Sequence, residues 1–292
     1  MPPRGRLPEL LLHSLASFDP LITDVLDAVG AKGVVEVGGE GGTFTQQLAA
    51  WAERVDGEVH CIDPAPSVQL ERLAGGAARV RLLRDCSPGA LERLPDLDAY
   101  ILDGDHNHWT VTAELGTLDA RLVDTERPGV IIMHDVGWPS ARRDAYYAPK
   151  RIPRAGVHPH SFSGGVTPGV KEMRSEGFSP AGKWAYARTE GGPRNGVLTA
   201  LEDFVGDRPD LEVLTVSAVF GLGFLFCSSA PWADEVRRLV TRYQLPLIAQ
   251  MESNRVDLYL EVLRLQREVE WRSRVHQLQL AQARARSTPA SS

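Results

Sequence analysis

The segment GVVEVGGEGGTFTQQLAAWAERV, at positions 33–55, carries the clearest indication of the fold. It predicts a short β-branched strand, then a loop of clustered glycines, then a helix that opens near positions 43–45. Four later segments also predict strands, and they alternate with helical patterns: 58–64, 78–88, 98–106 and 129–139. Strands that alternate with helices in this way indicate an α/β fold with a parallel, doubly wound sheet.

The end of this alternating region differs from its beginning. LEVLTVS at 211–217 and FGLGFLFC at 220–227 predict two strands joined by a tight turn. A connection this short joins antiparallel strands, so we expect the sheet to finish in an antiparallel hairpin. The stretch before it, at about 140–196, lacks clear periodicity and is rich in Gly, Pro and Arg. Such a long irregular connection predicts a lid inserted over the site.

Helical patterns flank the sheet region and divide the chain into three parts. We expect an N-terminal helical segment at 1–29, a main domain at 30–228 that includes the lid, and a C-terminal helical extension at 229–292. The extension carries one apolar stripe at helical spacing, formed by Leu258, Val262, Leu265 and Val269. The stripe either packs on the chain's own domain or contacts a second copy, and we expect a homo-oligomer.

Composition narrows the class of partner. The chain has 292 residues and a formal net charge of −6, whereas nucleic-acid binding needs a basic face, so no nucleic-acid partner is expected. No uncharged apolar run reaches the roughly 20 residues of a membrane span. Glu9 and His13 interrupt the first apolar run, which favours a helix over a signal peptide. The widely spaced Cys61, Cys86 and Cys227 indicate no disulfide framework. We therefore expect a soluble cytoplasmic protein that acts on a small molecule, without a membrane partner.

The glycine loop narrows the class of ligand. The dinucleotide fingerprint G-x-G-x-x-G fails in every register of the loop. The spacing that fits is an acidic residue followed by two glycines, namely Glu36, Gly38 and Gly42. The predicted second strand ends at Asp63, where a carboxylate can accept hydrogen bonds from both ribose hydroxyls of a cofactor. NAD sites use the same chemistry, and a plain turn residue before Pro64 is the alternative.

This stretch resembles the first motif of class I S-adenosylmethionine-dependent methyltransferases, and the resemblance covers about residues 30–228. It implies S-adenosylmethionine as the cofactor and a Rossmann-like, seven-stranded, mostly parallel sheet, which the predicted final hairpin matches. The commonest form of the motif has a third glycine where this chain has Glu40. Asp85 has two equally good interpretations: it caps the chain after the third strand, or it contacts the adenine of the cofactor. The cofactor-binding residues that the resemblance implies are Glu36, Gly38, Gly39, Gly42, Asp63, Asp85 and Asp103.

Charged side chains follow two strands that are neighbours in such a sheet. LDGDHNHWT at 102–110 ends the fourth strand at Asp103, and IIMHDVGWP at 131–139 ends the fifth strand at His134 and Asp135. Two converging carboxylates repel each other unless a cation or a proton lies between them. A divalent ion with oxygen ligands resolves the repulsion. A metal-free site that uses the same residues for hydrogen bonding is the alternative.

The pattern resembles metal-dependent O-methyltransferases, and more closely the macrocin O-methyltransferase and cephalosporin hydroxylase group of actinobacterial tailoring enzymes. In that group an aspartate and an acidic pair hold magnesium, and the matching positions here are Asp103, His134 and Asp135. Because one of them is a histidine, the implied metal is magnesium or a first-row transition metal. The resemblance assigns the general base to His106, which would take a hydroxyl proton during methyl transfer. Simpler roles are expected for its neighbours: a helix cap for Asp105 or Asn107, and a surface or helix-start position for His108.

GWPSARRDAYYAPKRIPR, at 137–154, concentrates arginine and aromatic residues in a chain that is acidic overall. Arginine forks bind phosphate and carboxylate groups, so the stretch predicts an anionic, partly apolar substrate. A solvated loop whose arginines pair with nearby acids is the alternative. Aromatic rings close to the site would also suit the sulfonium of the cofactor. The predicted substrate-binding residues are Trp138, Arg142, Arg143, Tyr146 and Arg194.

Together these features predict a methyltransferase for a small natural-product or sugar acceptor, with metal-assisted methylation at oxygen as the leading hypothesis. Methylation at carbon or nitrogen of an anionic or phosphorylated molecule is one alternative. A role in a hydroxylation pathway and a non-catalytic member of the same fold are two others. A non-catalytic relative would still bind the cofactor but would not depend on Asp103 or His106.

Overall fold

A computed structural model describes residues 14–124, 126–206 and 208–287. In these ranges the chain forms the strands β1 (Gly33–Val37), β2 (Glu58–Ile62), β3 (Val80–Leu83), β4 (Ala99–Leu102), β5 (Val130–His134), β6 (Ala145–Tyr146), β7 (His160–Ser161), β8 (Gly165–Thr167), β9 (Val170–Arg174), β10 (Ala185–Ala187), β11 (Leu211–Val216) and β12 (Leu222–Cys227). The main sheet has seven strands in the order β11, β12, β5, β4, β1, β2, β3. Neighbouring strands from β5 to β3 are parallel, and β12 is antiparallel to both β5 and β11. The predicted fold, with its antiparallel final hairpin, is confirmed.

Helices cover both faces of this sheet, as a parallel sheet requires. The α-helices of the described residues are α1 (Asp19–Val29), α2 (Thr43–Val55), α3 (Val68–Gly76), α4 (His108–Leu122), α5 (Val197–Val205), α6 (Ala233–Thr241) and α7 (Pro246–Ser287). One core packs α1, α2 and α6 against inward residues such as Val34 and Ile132. The other core packs α4 and α5 against the alternate residues, such as Val35 and Ile131. The period-2 alternation of each strand thus supplies both cores.

The stretch predicted to be a lid lies between β5 and α5 and has small sheets of its own. Strands β6, β10 and β7 form one antiparallel sheet, and β8 pairs with β9. Asp144, at the start of this insertion, is fully buried. Its carboxylate accepts hydrogen bonds from His108 N, Gly196 N and the Tyr146 hydroxyl. One carboxylate therefore ties the insertion to the start of α4 and the start of α5.

The C-terminal region forms two helices rather than one continuous helix. Helix α6 ends at Thr241, and α7 begins at Pro246 after a short break. The predicted apolar stripe lies on α7, where Leu258 is 59% exposed, Leu265 is 45% exposed and Val269 is 60% exposed. The stripe is thus largely uncovered by the chain's own domain. Contact with a second copy through it stays a prediction.

The N-terminal prediction falls only partly on described residues. Residues 1–13 lie outside the described ranges. Helix α1 ends at Val29 and is capped by Gly30, which has a left-handed φ of 71°. The proposed domain boundaries stay predictions. Within the described ranges, none of the helices combines the length and the apolarity that a bilayer span requires.

The glycine loop between β1 and α2 is shaped by close backbone contact. Gly38 has a φ of +93°, and a Cβ on it would lie 2.1 Å from the carbonyl oxygen of Asp103. Glu40, at the position of the missing glycine, also adopts a left-handed φ of 42°. A non-glycine residue in this conformation carries some backbone strain. By contrast, a Cβ on Gly41 would meet nothing within 4 Å.

We predict that Gly38→Ala destabilises the protein and that Gly41→Ala does not. The alanine at 38 would combine a disfavoured φ with a backbone clash, at a cost of at least about 2 kcal/mol in the free energy of unfolding. Gly41→Ala is the matched control in the same loop and should change it by less than about 0.5 kcal/mol. Urea denaturation measures both. Equal stability of the two variants would contradict this account of the loop.

Candidate active site

The candidate site lies where β1, β4 and β5 end side by side. Asp103 directly follows β4, and Asp135 directly follows β5, its neighbour in the sheet. Gly38 follows β1 and packs its backbone against the Asp103 carbonyl. The glycine loop and the acidic residues therefore share one edge of the sheet, which is where ligands bind in doubly wound folds.

His106 lies between the two carboxylates. Its Nε2 is 3.3 Å from Asp103 Oδ1, and its Nδ1 is 3.2 Å from Asp135 Oδ2. Burial alone would lower the pKa of His106, but Asp135 and Asp103 outweigh burial and raise the pKa to about 9. In this arrangement the ring is an imidazolium at neutral pH, with one N–H donated to each carboxylate.

His134 is a second buried imidazole beside the same carboxylates. Its Nε2 is 2.9 Å from the carbonyl oxygen of Val219, and its Nδ1 is 3.0 Å from Asp103 Oδ1. A carbonyl only accepts, so Nε2 carries a hydrogen. Burial opposes the charge of His134, yet Asp103 and Asp135 raise its pKa to about 9. The two histidines in turn hold the pKa of Asp103 below its ordinary value against the effect of burial.

The structure groups Asp103 and Asp135 with His106. One ligand atom from each of these three side chains lies within 4.8 Å of the others, a span that one metal ion could bridge. His134 was predicted as the third ligand instead of His106. Its Nε2 is hydrogen-bonded to the carbonyl of Val219, and its Nδ1 is hydrogen-bonded to Asp103. The metal itself stays a prediction.

The residues expected to bind the cofactor surround the glycine loop. Asp63 is buried and accepts hydrogen bonds from Glu40 N, at 3.0 Å, and from Ala65 N, at 2.8 Å. It therefore fixes the loop and also closes the turn after β2. Gly39 lies so close to Cys61 and Leu70 that a Cβ would come within 2.6 Å of each.

Two other carboxylates expected at the cofactor site differ in their surroundings. Glu36 is buried and accepts a 2.7 Å hydrogen bond from the Thr45 hydroxyl. Burial raises the pKa of Glu36 to about 7, and Asp103 adds to the effect. Asp85 is half exposed, accepts from Cys86 N and pairs with Arg93. Contact of either side chain with the cofactor stays a prediction.

An aromatic wall, which the sequence did not single out as a unit, faces the histidines from the insertion. The Tyr147 ring lies edge-on to His106, with ring centres 6.3 Å apart, and packs against Trp184. Tyr147 falls within the aromatic and arginine-rich stretch, but no pattern in the sequence pointed to Trp184.

The residues predicted to bind substrate mostly hold the insertion together. Arg143 is fully buried and donates to the carbonyls of Ala187 and Lys171, both at 2.6 Å. Arg142 binds both carboxylate oxygens of Glu202 on α5. In this arrangement neither guanidinium is free for an anion.

The other three predicted substrate residues are placed differently. Tyr146 is buried and donates to Asp144, whereas Arg194 is exposed. Trp138 packs on Phe178, and its buried Nε1 has no hydrogen-bond partner among the described residues. The substrate role of all five residues stays a prediction.

Asn107 and His108, the polar residues at the start of α4, can be compared with the roles expected from the sequence. Asn107 caps the helix by accepting from Thr110 N at 2.9 Å, as predicted. His108 is the first residue of α4, which confirms the helix start, one of its two predicted placements, and not the surface position. It is buried, and its Nε2 lies 2.8 Å from Asp203 on α5. That contact joins residues far apart in sequence, so local spacing could not indicate it.

We predict that Glu36→Gln stabilises the protein above pH 7. Between about pH 4.5 and 7 the folded protein keeps a proton on Glu36 that the unfolded chain has released. The wild type therefore loses stability across this window, whereas the amide does not titrate and still accepts from Thr45. The gain should approach about 3 kcal/mol at pH 8 and vanish near pH 4.

Urea denaturation at several pH values measures this difference, with Glu92→Gln at an exposed position as the control. A gain from Glu36→Gln that does not vary with pH would contradict the raised pKa.

Comparison with known proteins gives one family match and several distant structural similarities. Residues 35–136 match a family model described as "Methyltransferase domain". No curated protein sequence matches the chain. Among solved structures, the SAH-bound methyltransferase PaMTH1 from Podospora anserina is similar, with 16% identity and a TM-score of 0.47, over 77% of this chain and 83% of that chain.

The O-methyltransferase TomG from Streptomyces achromogenes, solved with SAM, has 13% identity and a TM-score of 0.42, over 74% of this chain and 82% of that chain. Likenesses this distant say nothing about substrate or mechanism. The match to the family model covers the glycine loop, Asp103, His106 and Asp135. Over residues 35–136 this match agrees with the predicted enzyme class, a methyltransferase.

Proposed function

We propose that the chain transfers the methyl group of S-adenosylmethionine to a hydroxyl oxygen of a small molecule. The observation that carries this proposal is the contact between Gly38 and Asp103. It sets the loop that would hold the cofactor directly against the cluster of Asp103, His106 and Asp135. A methyl donor on the loop and an acceptor at the cluster would meet in line, and such placement supplies much of the rate of methyl transfer.

In the proposed reaction, the acceptor oxygen bonds to the methyl carbon while the carbon–sulfur bond breaks. The electron pair of that bond stays on sulfur, and the hydroxyl proton goes to His106. For this step His106 must first be neutral. In the free protein Asp103 and Asp135 hold it protonated. Positive charge that offsets the two carboxylates would return its pKa toward neutrality and make it a competent base.

A divalent ion fits the same cluster by the chemistry of its donors. Two carboxylates suit magnesium or manganese, which prefer oxygen ligands. Asp103 and Asp135 would hold the ion, which leaves His106 available to take the proton, and His134 would orient Asp103 from behind. Bound there, the ion would lower the pKa of the acceptor hydroxyl.

The aromatic wall supports an apolar or aromatic acceptor more than an anionic one. Tyr147 and Trp184 offer flat surfaces next to His106. Arg142 and Arg143, which motivated an anionic substrate, already bind Glu202 and backbone carbonyls. Methylation of a phosphorylated acceptor at carbon or nitrogen therefore has less support than O-methylation.

We predict that His106→Ala lowers methyl transfer by about 10²-fold or more, because the hydroxyl proton loses its acceptor. The assay measures transfer of labelled methyl from S-adenosylmethionine to a panel of phenols, catechols and sugars. His276→Ala, at an exposed position on α7, is the matched control and should transfer at the wild-type rate. Full activity of His106→Ala on an accepted substrate would contradict the assignment.

We predict about one divalent ion per chain after dialysis against manganese, measured by elemental analysis. Asp135→Asn should lose the ion because it replaces a charged ligand with a neutral amide. Asp105→Asn is the control, since Asp105 instead accepts from Tyr147 N. A metal content that is the same in all three proteins would contradict a metal site at the cluster. O-methylation with His106 as base would then stand without it.

A further inference from the structure

The turn between β11 and β12 has an unusual backbone conformation. Val219 and Phe220 both have left-handed φ angles, of 45° and 66°, and both are buried. A β-branched residue rarely adopts this conformation, which favours Gly and Asn. Contacts from outside the hairpin must therefore hold the turn in place.

On one side the turn binds the end of β5. The carbonyl of Val219 accepts the Nε2–H of His134 at 2.9 Å. The carbonyl of Phe220 accepts the backbone N–H of Gly137 at 2.6 Å. These two bonds lie on either side of Asp135 in sequence, so the turn fixes the segment that carries two members of the acidic site.

On the other side the turn binds the C-terminal helix. Glu252 on α7 accepts from Val219 N at 3.0 Å and from Phe220 N at 2.9 Å, one bond to each carboxylate oxygen. Consecutive backbone N–H groups in this conformation form a natural anion-binding nest. Arg255 orients the carboxylate with bonds of 2.6 and 2.7 Å, and its guanidinium lies 4.6 Å from the Phe220 ring centre.

We propose that Glu252 is a positioning residue for the acidic site, acting through the Val219–Phe220 turn on His134 and Asp135. Its carboxylate binds both N–H groups of the turn, and both carbonyls of the turn bind the end of β5. The C-terminal helix is then part of the active-site architecture. The contacts that join Glu252, the turn and β5 are observed in the structure. Their effect on catalysis rests on the proposed methyl transfer.

The test compares Glu252→Gln and Glu252→Ala with Glu261→Gln. Glutamine retains one acceptor oxygen, and alanine retains none. Glu261 lies on the same helix, is exposed and pairs with Arg264, so its change alters charge on α7 without touching the turn. The first readout is the ¹⁵N resonance of His134 Nε2 at one fixed pH, in full-length protein labelled at histidine. The second is calorimetric titration with S-adenosylhomocysteine.

We expect the His134 Nε2 resonance to shift in Glu252→Gln and to shift further in Glu252→Ala, with no change in Glu261→Gln. Affinity for S-adenosylhomocysteine should stay within about twofold in all three variants. Where an acceptor is known, kcat should fall about tenfold in Glu252→Ala while KM for S-adenosylmethionine is unchanged.

An unchanged His134 resonance in Glu252→Ala, even with a lowered melting temperature, would overturn the proposal, because Glu252 would then only stabilise the helix. Failure of the wild type to bind S-adenosylhomocysteine would instead count against the proposed function. The His134 resonance would still decide the role of Glu252 in that case.

Discussion

Two carboxylates at the ends of neighbouring strands set the main constraint on this structure. Asp103 and Asp135 converge because β4 and β5 are adjacent and parallel, and their charges would repel without compensation. The protein places His106 between them and His134 beside them, and the two carboxylates raise the pKa of both rings to about 9. The site is therefore an alternating arrangement of carboxylates and imidazole rings.

Three parts of the fold contact these carboxylates and histidines: the glycine loop, the insertion and the hairpin turn. The glycine loop packs against the Asp103 backbone, and Asp63 holds that loop through Glu40 N. The insertion contributes Tyr147 beside His106. The hairpin turn holds His134 by one carbonyl and is itself held by Glu252 of α7. Segments from the beginning, middle and end of the chain thus meet at one edge of the sheet.

Short apolar runs that alternate with helical patterns were sufficient to predict the sheet, because the strands, the glycine loop and the hairpin turn are all local features of the sequence. The Asn107 cap was likewise predictable, since it acts on Thr110 three residues away. The pairings of His106 with Asp135, of His108 with Asp203 and of Glu252 with Val219 join distant segments, so spacing could not reveal them. Arg143 carried a misleading signal, because a buried arginine that binds carbonyls has the same sequence signature as one that binds an anion.

We propose that the glycine loop holds the methyl donor against the acidic cluster. Calorimetric titration of the wild type and of Asp63→Ala with S-adenosylhomocysteine tests this arrangement. We expect one saturable site per chain in the wild type and affinity weakened by about tenfold in the variant, which loses a buried carboxylate acceptor. Absence of saturable binding to the wild type would contradict the claim, and the acidic cluster would then need a different explanation.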